Sequence, residues 1–226
     1  MPPSTPVALL HGFATSSART WWETGWLDLL SEAGRTTVPI DILGHGQAEK
    51  PHDPAAYADL EGYVAERLPE GPVDAVGFSL GARLLLGVAV AQPARFRRIV
   101  TLGVGRNLFE RSGSDVVVQA LKAGDAPENP AAAYFARLAD HPENDREALI
   151  ACLQAPMRLL TAEELGRVTA SVLVIIGERD FTGPADRLVE ALPDARLVVL
   201  PRTDHFSTPK DFIAMDAALK FLDDGA

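Results

Sequence analysis

Six short apolar runs recur along the chain: Val7 to Leu10, Thr36 to Ile40, Val73 to Phe78, Arg98 to Val104, Ser171 to Gly177 and Arg196 to Leu200. Their apolar residues are continuous rather than alternating, the pattern of strands covered on both faces. Between most runs the apolar spacing becomes helical, over Trp21 to Ala33, Ala56 to Leu68, Leu80 to Gln92 and Pro184 to Leu192. A last helical pattern spans Lys210 to Leu222. Strands alternating with helices predict an α/β fold, a mostly parallel sheet of about six strands flanked by helices. The alternation fails once. From Gly105 to Thr169 helical spacing alone recurs, at Asp115 to Ala123, Pro130 to Ala139, Asp145 to Gln154 and Ala162 to Val168. This predicts a helical insertion, 105–169, set into a core made of 1–104 and 170–226. Insertions at the end of a strand commonly form lids over sites.

Strand direction then locates the chemistry. Ligands of open α/β sheets bind beyond the carboxyl ends of the strands. The first run is followed by His11-Gly12-Phe13, the second by Asp41 to Gly46, the third by Ser79, the fifth by a turn ending at Asp180 and the sixth by one ending at His205. A hydroxyl, a carboxylate and an imidazole therefore share one rim. Ser79 is the centre of Gly77-Phe78-Ser79-Leu80-Gly81, a G-x-S-x-G pattern between a strand and a helix. A sharp turn there strains the central residue and needs flanking positions without bulk. Ser79 would stand exposed beside a helix N-terminus, where the Leu80 N–H is free to donate to an oxyanion. A serine in this position can also simply cap the helix. The paired glycines and the two other rim residues favour a nucleophile.

These segments resemble the α/β-hydrolase superfamily over nearly the whole chain. "LLHGF" looks like its oxyanion loop, "DILGHGQAEKP" its D-x-x-G-H-G-x-S-x-x-P segment, "GFSLGA" its nucleophile elbow, "GERD" its acid turn and "TDHF" its histidine turn. The order Ser…Asp…His is also the family's. Two departures stand out. The family usually opens with an antiparallel strand pair, for which there is no room before His11, so a reduced sheet is expected. Ala48 stands where a serine is frequent.

Chemistry assigns the roles. A serine hydroxyl needs a base, which His205 can supply; Asp180 would orient the imidazole and stabilise its cation. The resemblance implies the Phe13 N–H as the second oxyanion donor. Asp204 and Asp186 are weaker rivals for the acid, Asp204 because a preceding residue rarely folds back onto the ring. His11 and His45 are expected to shape their loops, and His52 and His141 to lie on the surface. No His spacing suggests zinc. At helical spacing Trp22 and Trp26 share a face, read as core packing, with one of Trp21, Trp22 and Trp26 lining an acyl pocket as the alternative. Phe109, Tyr134 and Phe135 could line the insertion's inner face.

Composition narrows the rest. At 226 residues with 47% hydrophobic residues, one α/β domain with an insertion is affordable. A net charge of −10 disfavours nucleic acid and anionic membranes as partners. No run reaches the roughly 18 residues of a membrane span. "MPPSTP" shows no export signal and Cys152 is the single cysteine, which together suggest a cytoplasmic protein. The expectation is a cofactor-free serine hydrolase with no metal, acting on small-molecule carboxylic esters. Similar triads also cleave C–C bonds of ring-cleavage diketones or acyl thioesters, and the fold also serves non-catalytic ligand receptors. A serine rather than an aspartate at the elbow argues against dehalogenase and epoxide hydrolase branches. Neither the substrate nor the oligomeric state is legible.

Overall fold

The computed structural model describes residues 5–110, 113–126 and 128–223. Residues 1–4, part of the stretch read for a leader, lie outside them. Six strands form one parallel sheet in the order β2-β1-β3-β4-β5-β6. They are β1 (Val7–Leu10), β2 (Thr37–Ile40), β3 (Val73–Phe78), β4 (Phe96–Leu102), β5 (Ser171–Gly177) and β6 (Ala195–Leu200). The reduced sheet read from the sequence is the one observed, with no antiparallel pair ahead of β1 among the described residues. β1, β3 and β5 are buried almost throughout, which is why their sequences are unbroken apolar runs. β2 is an edge strand. Its Pro39 would cost a ladder hydrogen bond inside a sheet and is tolerated at an edge.

Nine α-helices are described: α1 (Trp26–Glu32), α2 (Leu60–Ala65), α3 (Leu80–Ala91), α4 (Ser114–Ala123), α5 (Pro130–Ala139), α6 (Arg146–Gln154), α7 (Ala162–Leu165), α8 (Asp186–Ala191) and α9 (Phe212–Asp223). One face of the sheet is covered by α1 and α9, through Trp26, Leu30, Met215 and Phe221. The other packs on α2, α3, α7 and α8, and this core runs on into the helices between β4 and β5. None of the described helices is long and apolar enough to cross a membrane.

Several elements differ from the sequence reading: the pattern Ala56 to Leu68 is a 3-10 turn Pro54–Tyr57 followed by the shorter α2, and β4 and the first helical pattern differ as well. β4 begins at Phe96 rather than Arg98 and ends at Leu102. Its charged start hid it: Arg97 pairs with buried Asp74 at the amino end of β3, and Arg35 holds the same carboxylate. The pattern Trp21 to Ala33 is two segments, a π-helical turn Ala18–Trp22 and then α1. Gly25, at φ 86°, breaks the helix between them. Trp21, not Trp22, therefore joins Trp26 in the core, edge-to-face at 5.5 Å, while Trp22 is 66% exposed.

The strand order reverses between β1 and β3. At that point the chains leaving both carboxyl ends diverge and open a crevice. The loop carrying Phe13 leaves one wall and the turn carrying Ser79 the other.

Candidate active site

The turn after β3 is strained. Ser79 has φ 51° and ψ −110°, a conformation that costs on the order of 1–3 kcal/mol for a residue with a side chain. Its surroundings enforce it. The Ser79 N–H donates to the Leu102 carbonyl at 2.8 Å, and the Gly81 N–H donates to that of His11 at 3.1 Å. The elbow glycines are needed for space: a Cβ on Gly81 would lie 2.3 Å from the Leu10 carbonyl oxygen, and one on Gly77 2.7 Å from the Ala82 backbone. α3 can thus begin directly against β1, with Ser79 at its tip.

His205 follows β6 and is 2% exposed. Its Nε2 lies 3.0 Å from Ser79 Oγ, and its Nδ1 lies 2.9 Å and 3.0 Å from the two oxygens of Asp180. With Nδ1–H donating to the carboxylate, Nε2 is left as acceptor for the Ser79 hydroxyl. Asp180 also accepts from the Thr182 N–H at 2.8 Å and the Thr182 hydroxyl at 2.7 Å. Burial pushes the Asp180 carboxyl up, but His205 and Thr182 outweigh it and hold it below its ordinary value. The His205 ring is flanked by Phe181 at 4.4 Å and Phe78 at 5.0 Å between centroids.

Asp204 is turned elsewhere, accepting from the Ser207 N–H at 2.8 Å, and Asp186 opens α8. Neither approaches the ring within hydrogen-bonding range among the described residues. The Phe13 and Leu80 backbone N–H groups donate to no protein acceptor among the described residues. Phe13 lines the same cleft as Ser79, and Leu80 directly follows Ser79 at the start of α3.

The other histidines hold loops. His11 donates from Nδ1 to the Gly12 carbonyl at 2.7 Å and accepts the Ile42 N–H on Nε2 at 3.0 Å. His45 donates to the Leu43 carbonyl at 3.0 Å; burial, then repulsion from His11, brings its pKa down to about 3. His52 lies on the surface between Asp145 and Glu147. No group of three or more metal-ligating side chains assembles among the described residues.

Above Ser79 lies a cleft of about 390 Å³. Phe13, Phe78, Tyr134, Phe135 and Phe206 form its apolar wall. Tyr134 of α5 stacks on Phe206 at 3.8 Å, and Phe135 meets Phe13 edge-on at 5.7 Å, so the helices between β4 and β5 overhang the rim. Phe109 is not part of this lining and instead packs beneath the Arg187 guanidinium at 4.2 Å. The sequence reading overlooked Thr182 and Arg19. An aspartate followed two residues later by threonine is an Asx-turn signal that could have found the first. Nothing in the local pattern marks the second, which lies on the π-helical turn and lines the cleft.

A strained serine on a strand-to-helix turn, an imidazole against it and a buried carboxylate behind, at the carboxyl edge of a parallel sheet, define a class of hydrolase. The chain belongs to the alpha/beta hydrolase family, whose model matches residues 7–215. Among its relatives is the pimeloyl-[acyl-carrier protein] methyl ester esterase of Nitrosomonas europaea, 27% identical across 94% of both chains. Another is the 2-hydroxymuconate semialdehyde hydrolase of Pseudomonas sp. strain CF600, 27% identical across 88% of this chain and 70% of its own. A hydrolase from Pseudomonas aeruginosa PA01 shares the fold with a TM-score of 0.74 at 20% identity, over all of this chain and 92% of its own.

Proposed function

We propose that the protein is a serine hydrolase that cleaves small carboxylic esters through an acyl-enzyme. One observation carries the reading: Ser79 Oγ, His205 and Asp180 form a continuous hydrogen-bonded chain with steps of 3.0 and 2.9 Å. Ser79 Oγ attacks the ester carbonyl while His205 Nε2 takes its proton. The oxyanion of the tetrahedral intermediate receives the N–H groups of Phe13 and Leu80; one such donor is typically worth about 10²–10³ in rate. His205 then gives the proton to the departing alcohol oxygen, leaving Ser79 acylated. Water, deprotonated by His205, repeats the sequence and releases the acid. Asp180 keeps Nδ1 protonated and balances the imidazolium. Residues 105–169 serve as a cap on the core formed by 1–104 and 170–226, with Tyr134 and Phe135 closing the acyl end. A single, buried free thiol, Cys152, fits a reducing cytoplasm.

Purified protein should hydrolyse a short p-nitrophenyl ester, and Ser79→Ala should lower kcat by at least about 10³-fold. An inert wild type or an undiminished variant refutes the proposal. C–C bond hydrolysis of a vinylogous diketone is the second reading, favoured by the likeness to the Pseudomonas semialdehyde hydrolase. Turnover of such a diketone exceeding that of every ester tested would select it.

A further inference from the structure

The cleft is lined by a cation that no described residue pairs with. Arg19, on the π-helical turn Ala18–Trp22, lines the same cleft as Ser79 and His205. Its Nη1 is shut off from solvent, and the guanidinium makes no hydrogen bond or ion pair with any described residue. Glu23, one turn on, also lines the cleft but does not reach it. A second cation, Lys210, lies in the same lining. Arg19 and Lys210 against Glu23 make this lining net positive within a chain of net charge −10.

A buried donor without a partner loses its water hydrogen bonds and regains nothing, so native proteins keep few of them. Arg83 is anchored on two carbonyls, and Arg35 on Asp74 although its Nε, too, has no partner among the described residues. Arg19 differs in that its side chain lines a cleft large enough for a ligand, although the shut-off Nη1 does not itself open onto it. A guanidinium presents a planar fork that matches a carboxylate with two parallel hydrogen bonds.

We propose that Arg19 is a specificity-determining residue that binds a carboxylate carried by the substrate besides the bond to be cleaved. The preferred substrates are therefore anionic esters, such as half-esters of dicarboxylic acids. The inference rests on the hydrolase reading of Ser79, since it assigns the second end of the same cleft. Glu23 opposes any anion there; Arg19 and Lys210 together outweigh it.

The test uses matched pairs. p-Nitrophenyl hexanoate is compared with mono-p-nitrophenyl adipate, which places the anion on the acyl side. Phenyl acetate is compared with 4-acetoxybenzoate, which places it on the leaving group. Wild type should favour the anionic member of at least one pair by about 10- to 100-fold in kcat/KM, mostly through KM. Arg19→Met should bring that ratio close to one, and Arg19→Lys should restore part of it, which a purely structural role would not do. Equal or reversed preference in both pairs overturns the proposal, as does an Arg19→Met ratio unchanged from wild type. Calorimetry on Ser79→Ala separates this from the hydrolase reading. Binding of monomethyl adipate but not methyl hexanoate, lost on adding Arg19→Met, upholds the anion site even if no ester is turned over. Equal binding of the two, or none, rejects it.

Discussion

His45 is the residue whose physics makes a prediction independent of catalysis. It is fully buried, with its Nδ1–H on the Leu43 carbonyl and a pKa of about 3. An unfolded chain takes up a proton at this ring near pH 6.5, whereas the folded chain refuses it until about pH 3. The unfolded state therefore binds more protons throughout that window, and stability falls as pH falls through it. The slope from this one group approaches about 1.4 kcal/mol per pH unit. Buried His11, whose pKa burial also lowers, adds in the same direction. Denaturant unfolding from pH 7 to pH 4 should show wild type losing stability more steeply than His45→Gln; equal slopes would count against this account. The sequence showed that His45 stands in a glycine-rich loop. It could not show that both neighbours of the ring would be apolar and another histidine.

Among the elements, the turn from β3 into α3 carries the tightest steric demand. Gly81 lies where a methyl group would meet two carbonyl oxygens, of Leu10 at 2.3 Å and of His11 at 2.6 Å. These are backbone atoms of a central strand and cannot rotate aside. Gly81→Ala should therefore cost about 2–4 kcal/mol and displace Ser79. A calorimetric midpoint lowered by several degrees would be the signature, and an unchanged midpoint would mean that the turn is looser than described. This turn was legible because its demands are local: two glycines, a serine and a change from strand to helix spacing fall within one short window. The segment Trp21 to Ala33 was not legible in the same way. Its composition is helical throughout, and a 3.6-residue period places Trp22 with Trp26. The left-handed Gly25 and the π-wound turn before it shift the register, and Trp21 takes the buried place instead.

Across the whole molecule, Arg83 is among the side chains that tie the core to the helices that overhang it, with Ser16 on Glu143 and Asn144 on the Ala14 carbonyl. Arg83 of α3, almost buried, donates to the Asn107 carbonyl at 2.8 Å and the Arg158 carbonyl at 2.7 Å. These carbonyls lie near the two ends of the segment proposed as the cap. Arg83→Met would leave both without that partner and cost about 2–4 kcal/mol. Hydrogen exchange should rise in α4 to α6 before it rises in β1 or β3; uniform loss of protection would argue against a separable cap. The sheet and the shared rim could be read from the sequence because strand order along the chain and the direction of each strand carry that information. Tertiary relations such as those of Arg83 with two distant carbonyls, or of the Arg19 guanidinium with no partner among the described residues, depend on how an insertion settles on a core, which no local window encodes. Activation of Ser79 by His205 and Asp180 can be read by mass spectrometry after treatment with a fluorophosphonate. A single adduct is expected on the Ser79 peptide, absent in Ser79→Ala and formed at least about 10²-fold more slowly in His205→Gln. No adduct on the folded wild type, or an adduct at another residue, would contradict it.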